Sequence, residues 1–148
     1  MQIGQVATKT ELSIATVRHY DEVGLVTPSA RSTGGFRLYT EADVERLLVI
    51  RRMKPLGFSL AEMRDLLDAV DVLADGDASE ERRREAAEKL RECHAAAEES
   101  AVKLRKHLAY ADELRGLLAD LADGVANGGV VGRSGALPAP PAGIEPAT

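Results

Sequence analysis

The chain has 148 residues, enough for one ordinary domain or for a small domain with an extension. Only 3% of its residues are aromatic and 29% are charged, a composition that favours a helical protein over a β-sandwich. The single cysteine excludes an internal disulfide, and no apolar run approaches the roughly 18 residues of a membrane span. Because no signal-peptide pattern follows Met1 either, we expect a cytoplasmic protein without a membrane partner.

The net charge of −5 is unevenly distributed along the chain. Residues 1–60 carry eight Lys and Arg against six Asp and Glu, a balance of +2. The remaining residues carry eleven against eighteen, a balance of −7. The acidic total therefore leaves room for a local basic face at the N-terminal end, as nucleic-acid binding requires.

Two short helices joined by a tight connection are predicted at the start of the chain. The stretch IGQVATKT can form the first helix, and Ser13 is a candidate N-cap for the second, IATVRHYDEV, which ends at Gly24. This order is typical of a helix-turn-helix, although an ordinary helical hairpin would have the same start and stop residues.

The second helix has two distinct sides on a helical wheel. Its inner side is formed by Ile14, Val17 and Asp21. The opposite side carries small and hydrogen-bonding residues with longer side chains at its margins: Ala15, Thr16 and His19, flanked by Arg18 and Tyr20. Small groups allow a helix to approach base edges, and the flanking side chains can reach phosphates.

A β-hairpin is predicted next, from the Gly pair and the alternating residues of STGGFRLY at 32–39. The alternation divides the side chains into a core-facing pair and an outward set: Phe36 and Leu38 inside, Arg37 and Tyr39 outside, with Arg31 beside them on the opposite strand. Outward arginines beside a helix-turn-helix indicate a wing that holds phosphates or a minor groove. The alternative, a hairpin with merely solvated arginines, does not explain its position after the helix pair.

Three more helices complete the predicted order. Thr40 and Ser59 begin capping boxes, and KPLG at 54–57 separates the two helices that follow them. An acidic linker is expected at 71–78 and a long helix at 79–123, where Gly116 is the only glycine and proline is absent. Residues 124–148 contain ten Gly or Pro among 25 residues, which predicts a disordered tail.

The long helix carries an apolar seam in which large and small residues alternate. This alternation suits an antiparallel coiled coil, where Leu on one helix meets Ala on the other. The predicted dimer-interface residues are Leu90, Ala97, Ala101, Leu104, Leu108, Ala111 and Leu118.

The first half of the chain resembles the DNA-binding domain of the MerR family of bacterial transcription regulators. The resemblance rests on five motifs in order: IGQVA at 3–7, RHYD at 18–21, GLVTP at 24–28, GFRLY at 35–39 and LGFSL at 56–60. His19 stands where the family usually has Tyr. The fold implied is mainly α, a winged helix-turn-helix at 1–70 followed by a long antiparallel coiled-coil dimerisation helix.

The resemblance also implies a function. Such homodimers bind a palindrome in double-stranded DNA, inside a promoter whose RNA polymerase elements are too far apart, and bend and untwist it to realign them. An excisionase-like architectural DNA binder is the alternative, but such proteins usually lack a long dimer helix. A coiled-coil adaptor would leave the arginines unexplained, and no catalytic constellation indicates an enzyme.

No metal or cofactor is predicted. Metal-sensing relatives carry cysteines after the dimer helix, and the region after Asp123 has neither Cys nor His. Cys93 and His94 are adjacent, so they diverge by about 100° on a helix and do not form a chelating pair. Cys93 is interpreted as a half-buried seam residue, with a thiol switch across the dimer as the alternative.

Overall fold

The computed structural model describes residues 1–126 and is mainly helical, as predicted. Its elements in chain order are α1 (Ile3–Thr10), α2 (Ile14–Glu22), β1 (Ala30–Arg31), β2 (Arg37–Leu38), α3 (Glu41–Met53), a 3₁₀ turn (Lys54–Leu56), α4 (Leu60–Ala74) and α5 (Glu80–Ala126). The chain divides into two compact units, of which the first is Met1–Lys103 and the second begins at Leu104. Most of the expected tail, 127–148, lies outside the described residues.

Three helices begin at the predicted capping residues. The Ser13 side chain accepts a hydrogen bond of 3.0 Å from the Thr16 amide, and Thr40 and Ser59 each complete a capping box. Helix α3 ends at Met53, and Gly57, whose φ of 87° is left-handed, caps the 3₁₀ turn that follows.

The core of the first unit lies where α1, α2, α3 and α4 meet. It contains six fully buried aliphatic side chains: Val6, Val17, Val26, Leu47, Ile50 and Leu67. Burying each one contributes about 1.5 to 3 kcal/mol. Two arginines add polar ties, since Arg51 donates to the Thr10 carbonyl at 2.6 Å and Arg64 to the Val23 carbonyl at 2.8 Å. These bonds satisfy the C-terminal ends of α1 and α2 and fix the helix pair on α3 and α4.

The hairpin has very short strands, with Ala30 opposite Leu38 and Arg31 opposite Arg37. Immediately after β2, Tyr39 exchanges backbone hydrogen bonds of 2.7 and 2.8 Å with Met1. The hairpin is therefore attached to the N-terminus of the chain rather than to a larger sheet.

The predicted orientation of the hairpin side chains was wrong for Phe36 and Tyr39. Phe36 is 65% exposed, whereas Tyr39 is 2% exposed and belongs to the core. The period of two does not extend to either residue because β2 contains only Arg37 and Leu38. Phe36 belongs to the turn, and the backbone bonds to Met1 direct the Tyr39 ring inward.

The expected linker is shorter than predicted. Helix α4 continues to Ala74, so only residues 75–79 separate it from α5. The Ser79 hydroxyl then accepts a hydrogen bond of 3.1 Å from the Arg82 amide and begins α5. Helix α5 therefore starts one residue after the predicted helix at 79–123 and ends three residues after it, at Ala126.

The first part of α5 packs within its own unit, which was not predicted from the sequence. Ala86 is buried, and the Ser100 hydroxyl donates to the Leu56 carbonyl at 3.1 Å. Leu90 and Ala97, both predicted dimer residues, line an apolar groove of about 300 Å³ together with side chains from α3, α4 and the turn between them: Val49, Met53, Leu56, Phe58 and Leu66.

From Leu104 onward, α5 presents large apolar side chains to solvent in the single chain. The exposed residues are Leu104, Leu108, Leu114, Leu118 and Val125. Three of them belong to the predicted seam. No helix within residues 1–126 is both long enough and apolar enough to cross a bilayer.

We predict that Tyr39→Phe leaves the free energy of unfolding unchanged or raises it by up to about 1 kcal/mol. The buried Tyr39 hydroxyl has no hydrogen-bond partner among the described residues, so its removal relieves a desolvation penalty. Urea denaturation of the two proteins measures the difference. Tyr39→Ala is the matched control and should cost about 3 to 5 kcal/mol because it empties the same site. A loss above 1 kcal/mol for the Phe variant would show that the hydroxyl is satisfied.

Candidate nucleic-acid interface

Helix α2 turns one side into the core and leaves the other in solvent. On the solvent side, Ala15, Arg18 and His19 are exposed. Thr16 is half-buried, and its hydroxyl lies 2.8 Å from the Ser13 hydroxyl, so it takes part in the N-cap. The exposed side combines a small residue, a hydrogen-bonding ring and a cation, the types that can meet base edges and phosphates.

Tyr20 and Ile14 do not lie where the helical wheel placed them. Tyr20, expected at the margin of the exposed side, is buried, and Ile14, expected inside, is 43% exposed. The inner stripe of α2 is centred on Val17 and Tyr20, which are three residues apart and so share a face. Ile14 occupies the first turn, beyond the edge of the core. The Tyr20 ring therefore stabilises the unit and does not flank an exposed face.

The two hairpin arginines converge on a carboxylate of α2. Arg37 donates from Nε to Asp21 Oδ2, and Nη2 of Arg31 lies 3.8 Å from the same oxygen. The hydrogen bond to Asp21 is the main cause of a raised pKa for the Arg37 guanidinium. Arg31 also donates to the Gly35 carbonyl at 3.2 Å, across the turn of the hairpin. The hairpin tip is thus attached directly to α2.

A small cavity of about 140 Å³ lies at the junction of α1, α2 and the hairpin. Its lining brings together Arg18, Arg37 and the exposed Phe36 ring. Of the predicted DNA-binding residues, the structure therefore groups Arg18, Arg31 and Arg37 on one surface, with His19 exposed on the same helix as Arg18. Tyr20 and Tyr39 lie in the core.

Two residues of this surface were missed by sequence reasoning. Phe36 was expected to cover the core, and Asp21 was considered only as an inner-side residue. The sequence holds one signal for Asp21, an acid in the last turn of a helix, where the helix dipole disfavours a negative charge and a specific partner is therefore needed. Nothing in the sequence distinguishes Phe36 from a core aromatic.

Cys93 lies on α5 in the first unit and lines the apolar groove beside Leu90 and Ala97. Burial raises the pKa of its thiol, and the nearby Lys89 opposes this shift only in part. The neighbouring His94 is exposed and has Glu98 at 3.9 Å. In the part of the chain that the structure describes, no group of three or more His, Cys, Asp or Glu side chains could hold a metal ion.

Comparison with known proteins decides the family. A family model described as MerR HTH family regulatory protein matches residues 1–70, and one described as MerR, DNA binding matches residues 44–111. The solved structure of the transcription regulator PbrR691 from Ralstonia metallidurans CH34, in complex with lead(II), is 32% identical. The match covers 83% of this chain and 86% of that one with a TM-score of 0.50. The chain belongs to the MerR family.

Two further proteins show how far the similarity extends. The HTH-type transcriptional activator mta of Bacillus subtilis strain 168 is 46% identical over 67 residues, which are 45% of this chain and 26% of that protein. The chain spans between about a quarter and a half of the curated relatives it matches. HiNmlR, a MerR regulator that lacks the sensor domain and was solved on promoter DNA, is 24% identical over 86% of this chain and 94% of that one. Its TM-score of 0.64 supports the shared fold.

We predict that the Cys93 thiol of the folded protein reacts slowly with iodoacetamide at pH 7.5. Only the thiolate reacts, and a pKa raised by burial lowers the thiolate fraction at this pH. The same protein unfolded in urea is the control and should react several-fold faster. Equal rates in the two states would contradict a shielded thiol, and a faster rate in the folded protein would support the thiol-switch alternative.

Proposed function

We propose that this MerR-family chain is a sequence-specific DNA-binding transcription regulator that acts as a homodimer on promoter palindromes. The observation that carries the proposal is the shared surface of α2 and the hairpin: exposed Arg18 lines one cavity with Arg37, and Arg31 approaches the same Asp21 carboxylate as Arg37. His19 is exposed on the same helix as Arg18. The two family models support it because their matches include all of these residues and α5 as far as residue 111.

The division of this surface follows from its chemistry. His19 has a ring that can hydrogen-bond to a base edge, so it and Thr16 are the candidates for reading sequence in the major groove. Arg18, Arg31 and Arg37 carry the charge that phosphates require, and phosphate contacts set register without reading bases. The hairpin therefore acts as a wing beside the groove that α2 enters. The acidic total of the chain does not oppose this arrangement, because its negative balance falls after residue 60.

Dimerisation is proposed through the second unit. Leu104, Leu108 and Leu118 are exposed in the single chain, where an apolar stripe of this length is unfavourable in water. Pairing with a second α5 buries the stripe, and the alternation of Leu104 and Ala111 along it favours an antiparallel partner. A symmetric dimer presents two α2 helices, which matches a palindromic site.

Control of transcription is proposed to follow from DNA distortion. Bending a site by a MerR-type dimer costs on the order of 1 to 6 kcal/mol, which the added phosphate contacts of the wings offset. RNA polymerase at the same promoter is the expected partner, by resemblance to the family. The architectural DNA binder remains the competing function, since it would use the same surface without reading a promoter.

Selection from a random duplex library, followed by sequencing of the bound DNA, tests the proposal. A palindromic motif lying between promoter elements in the source genome is the expected result. Enrichment without a motif would favour the architectural binder. No salt-dependent binding to any duplex would contradict a DNA-binding role altogether.

We predict that Arg37→Ala weakens binding to specific and random duplexes by a similar factor, whereas His19→Ala mainly changes which sequences are preferred. Losing one phosphate contact should reduce the slope of log K against log salt by about 0.9. Losing a base contact should change discrimination at one base pair by about 1 kcal/mol and leave the slope unchanged. Fluorescence anisotropy at four salt concentrations measures both. Identical effects of the two variants on every duplex would contradict this division.

We predict that Leu104→Asp raises the dimer dissociation constant about a hundredfold or more, since it places a charge in the apolar seam. Specific DNA binding should weaken with it. Val102→Asp is the matched control, because Val102 is also exposed on α5 and lies outside the seam. Analytical ultracentrifugation compares the two variants. A Leu104→Asp protein that stays dimeric would place the dimer interface elsewhere.

A further inference from the structure

Asp21 is an acidic residue in an unfavourable place. It lies in the last turn of α2, where the negative end of the helix dipole opposes a carboxylate. Its side chain is only 10% exposed, so it has lost most of its hydration. It also belongs to the helix that we propose to read DNA, whose phosphates repel it. Favourable contacts must therefore offset the cost of keeping a negative charge at this position.

The compensation comes from the wing. Arg37 donates from Nε to Asp21 Oδ2, and Arg31 approaches the same oxygen at 3.8 Å. The bond uses the inner edge of the Arg37 guanidinium. Its two Nη groups make no other hydrogen bond within residues 1–126, and the Arg37 side chain is 26% exposed against 10% for Asp21. Asp21 thus binds the Nε side of the Arg37 guanidinium and leaves the two Nη groups free to donate to another acceptor.

Within residues 1–126, no group of the wing hydrogen-bonds to the Arg37 guanidinium, whose one bond is to Asp21. Each strand has two residues, and a two-stranded ribbon is marginally stable in water. The base of the hairpin is well attached, since Ser29 donates to Asp43 at 2.8 Å and Tyr39 bonds to Met1. Toward the tip, the ion pairs with Asp21 are the contacts that connect the wing to α2. A long arginine side chain released from Asp21 would sample several rotamers.

We propose that Asp21 is a positioning residue for DNA binding: it fixes the Arg37 guanidinium with its Nη edge directed toward a backbone phosphate, and it steadies Arg31 beside it. The inference rests on the proposed function, because it assigns Arg37 a phosphate partner. Asp21 itself makes no contact with DNA. Its effect on affinity is therefore opposite in sign to the effect of an ordinary acid near DNA, whose removal strengthens binding.

The sign of this effect is the test. Asp21→Ala should weaken binding of the full-length protein to its selected duplex by about three- to tenfold, although it removes a negative charge. Glu22→Gln is the matched control. Glu22 is the next residue and is exposed, and the substitution also removes one negative charge. The control should bind equally well or slightly more tightly. Asp21→Ala binding as well as the wild type, or more tightly, would overturn the proposal.

A merely structural role is separated by the salt dependence. Asp21→Ala should reduce the slope of log K against log salt by about 0.9, the same reduction as Arg37→Ala, because both lose one phosphate contact. In the Arg37→Ala background, Asp21→Ala should cause a clearly smaller loss than in the wild type, because only the weaker contact with Arg31 remains to be lost. An unchanged slope, or full additivity of the two losses, would show that Asp21 acts through stability alone. Asp21→Asn keeps the shape and one acceptor, and should recover part of the affinity if Asp21→Ala folds poorly.

A measurement without DNA keeps the two proposals apart. In the free protein, the Arg37 Nε–H should exchange slowly with water by ¹⁵N NMR, and the exchange should become fast in Asp21→Ala. Fast exchange in the wild type would overturn the positioning role even if DNA binding is confirmed. A protected Nε–H in a protein that binds no duplex would instead overturn the proposed function.

Discussion

The packing of Val17 and Tyr20 into the core is the constraint on which the rest of the first unit depends. These two residues fix the rotation of α2 about its own axis, and the rotation decides which residues remain in solvent. Arg18 and His19 are exposed because their neighbours are buried, and Asp21 reaches the wing for the same reason. A helix rotated by one residue would bury one of the side chains that the proposed interface needs.

The charges of the N-terminal region serve two purposes, which the sequence cannot separate. Arg51 and Arg64 bond to backbone carbonyls at helix ends, and Arg46 pairs with Asp71 at 2.6 Å. These cations hold helices together. The cations available to phosphate are fewer than the count for residues 1–60 suggests. A basic excess in the sequence therefore does not show which cations are free to bind phosphate.

How much could be predicted depends on whether the determinant is local. Helix bounds were predictable because Ser13, Thr40 and Ser59 form caps within three residues of themselves. Which hairpin side chains face inward was not predictable, because their orientation depends on the backbone bonds between Tyr39 and Met1. These two residues lie 38 positions apart in the sequence. The seam shows both outcomes within one helix. Leu104 is exposed and remains available to a partner, whereas Leu90 lines a groove against α3 and α4 that only the folded chain reveals.

The exposed apolar stripe of α5 also bears on how DNA occupancy depends on the concentration of the protein. If only the paired form occupies a palindrome, then well below the dimer dissociation constant the concentration of competent protein rises with the square of the chain concentration. A twofold change in synthesis then becomes about a fourfold change in occupancy at low saturation. In the proposed dimer, the exposed side chains of Leu108 and Leu118 would set that dissociation constant. The strength of their packing would then decide the protein concentration up to which occupancy rises with the square of that concentration, independently of any contact with DNA.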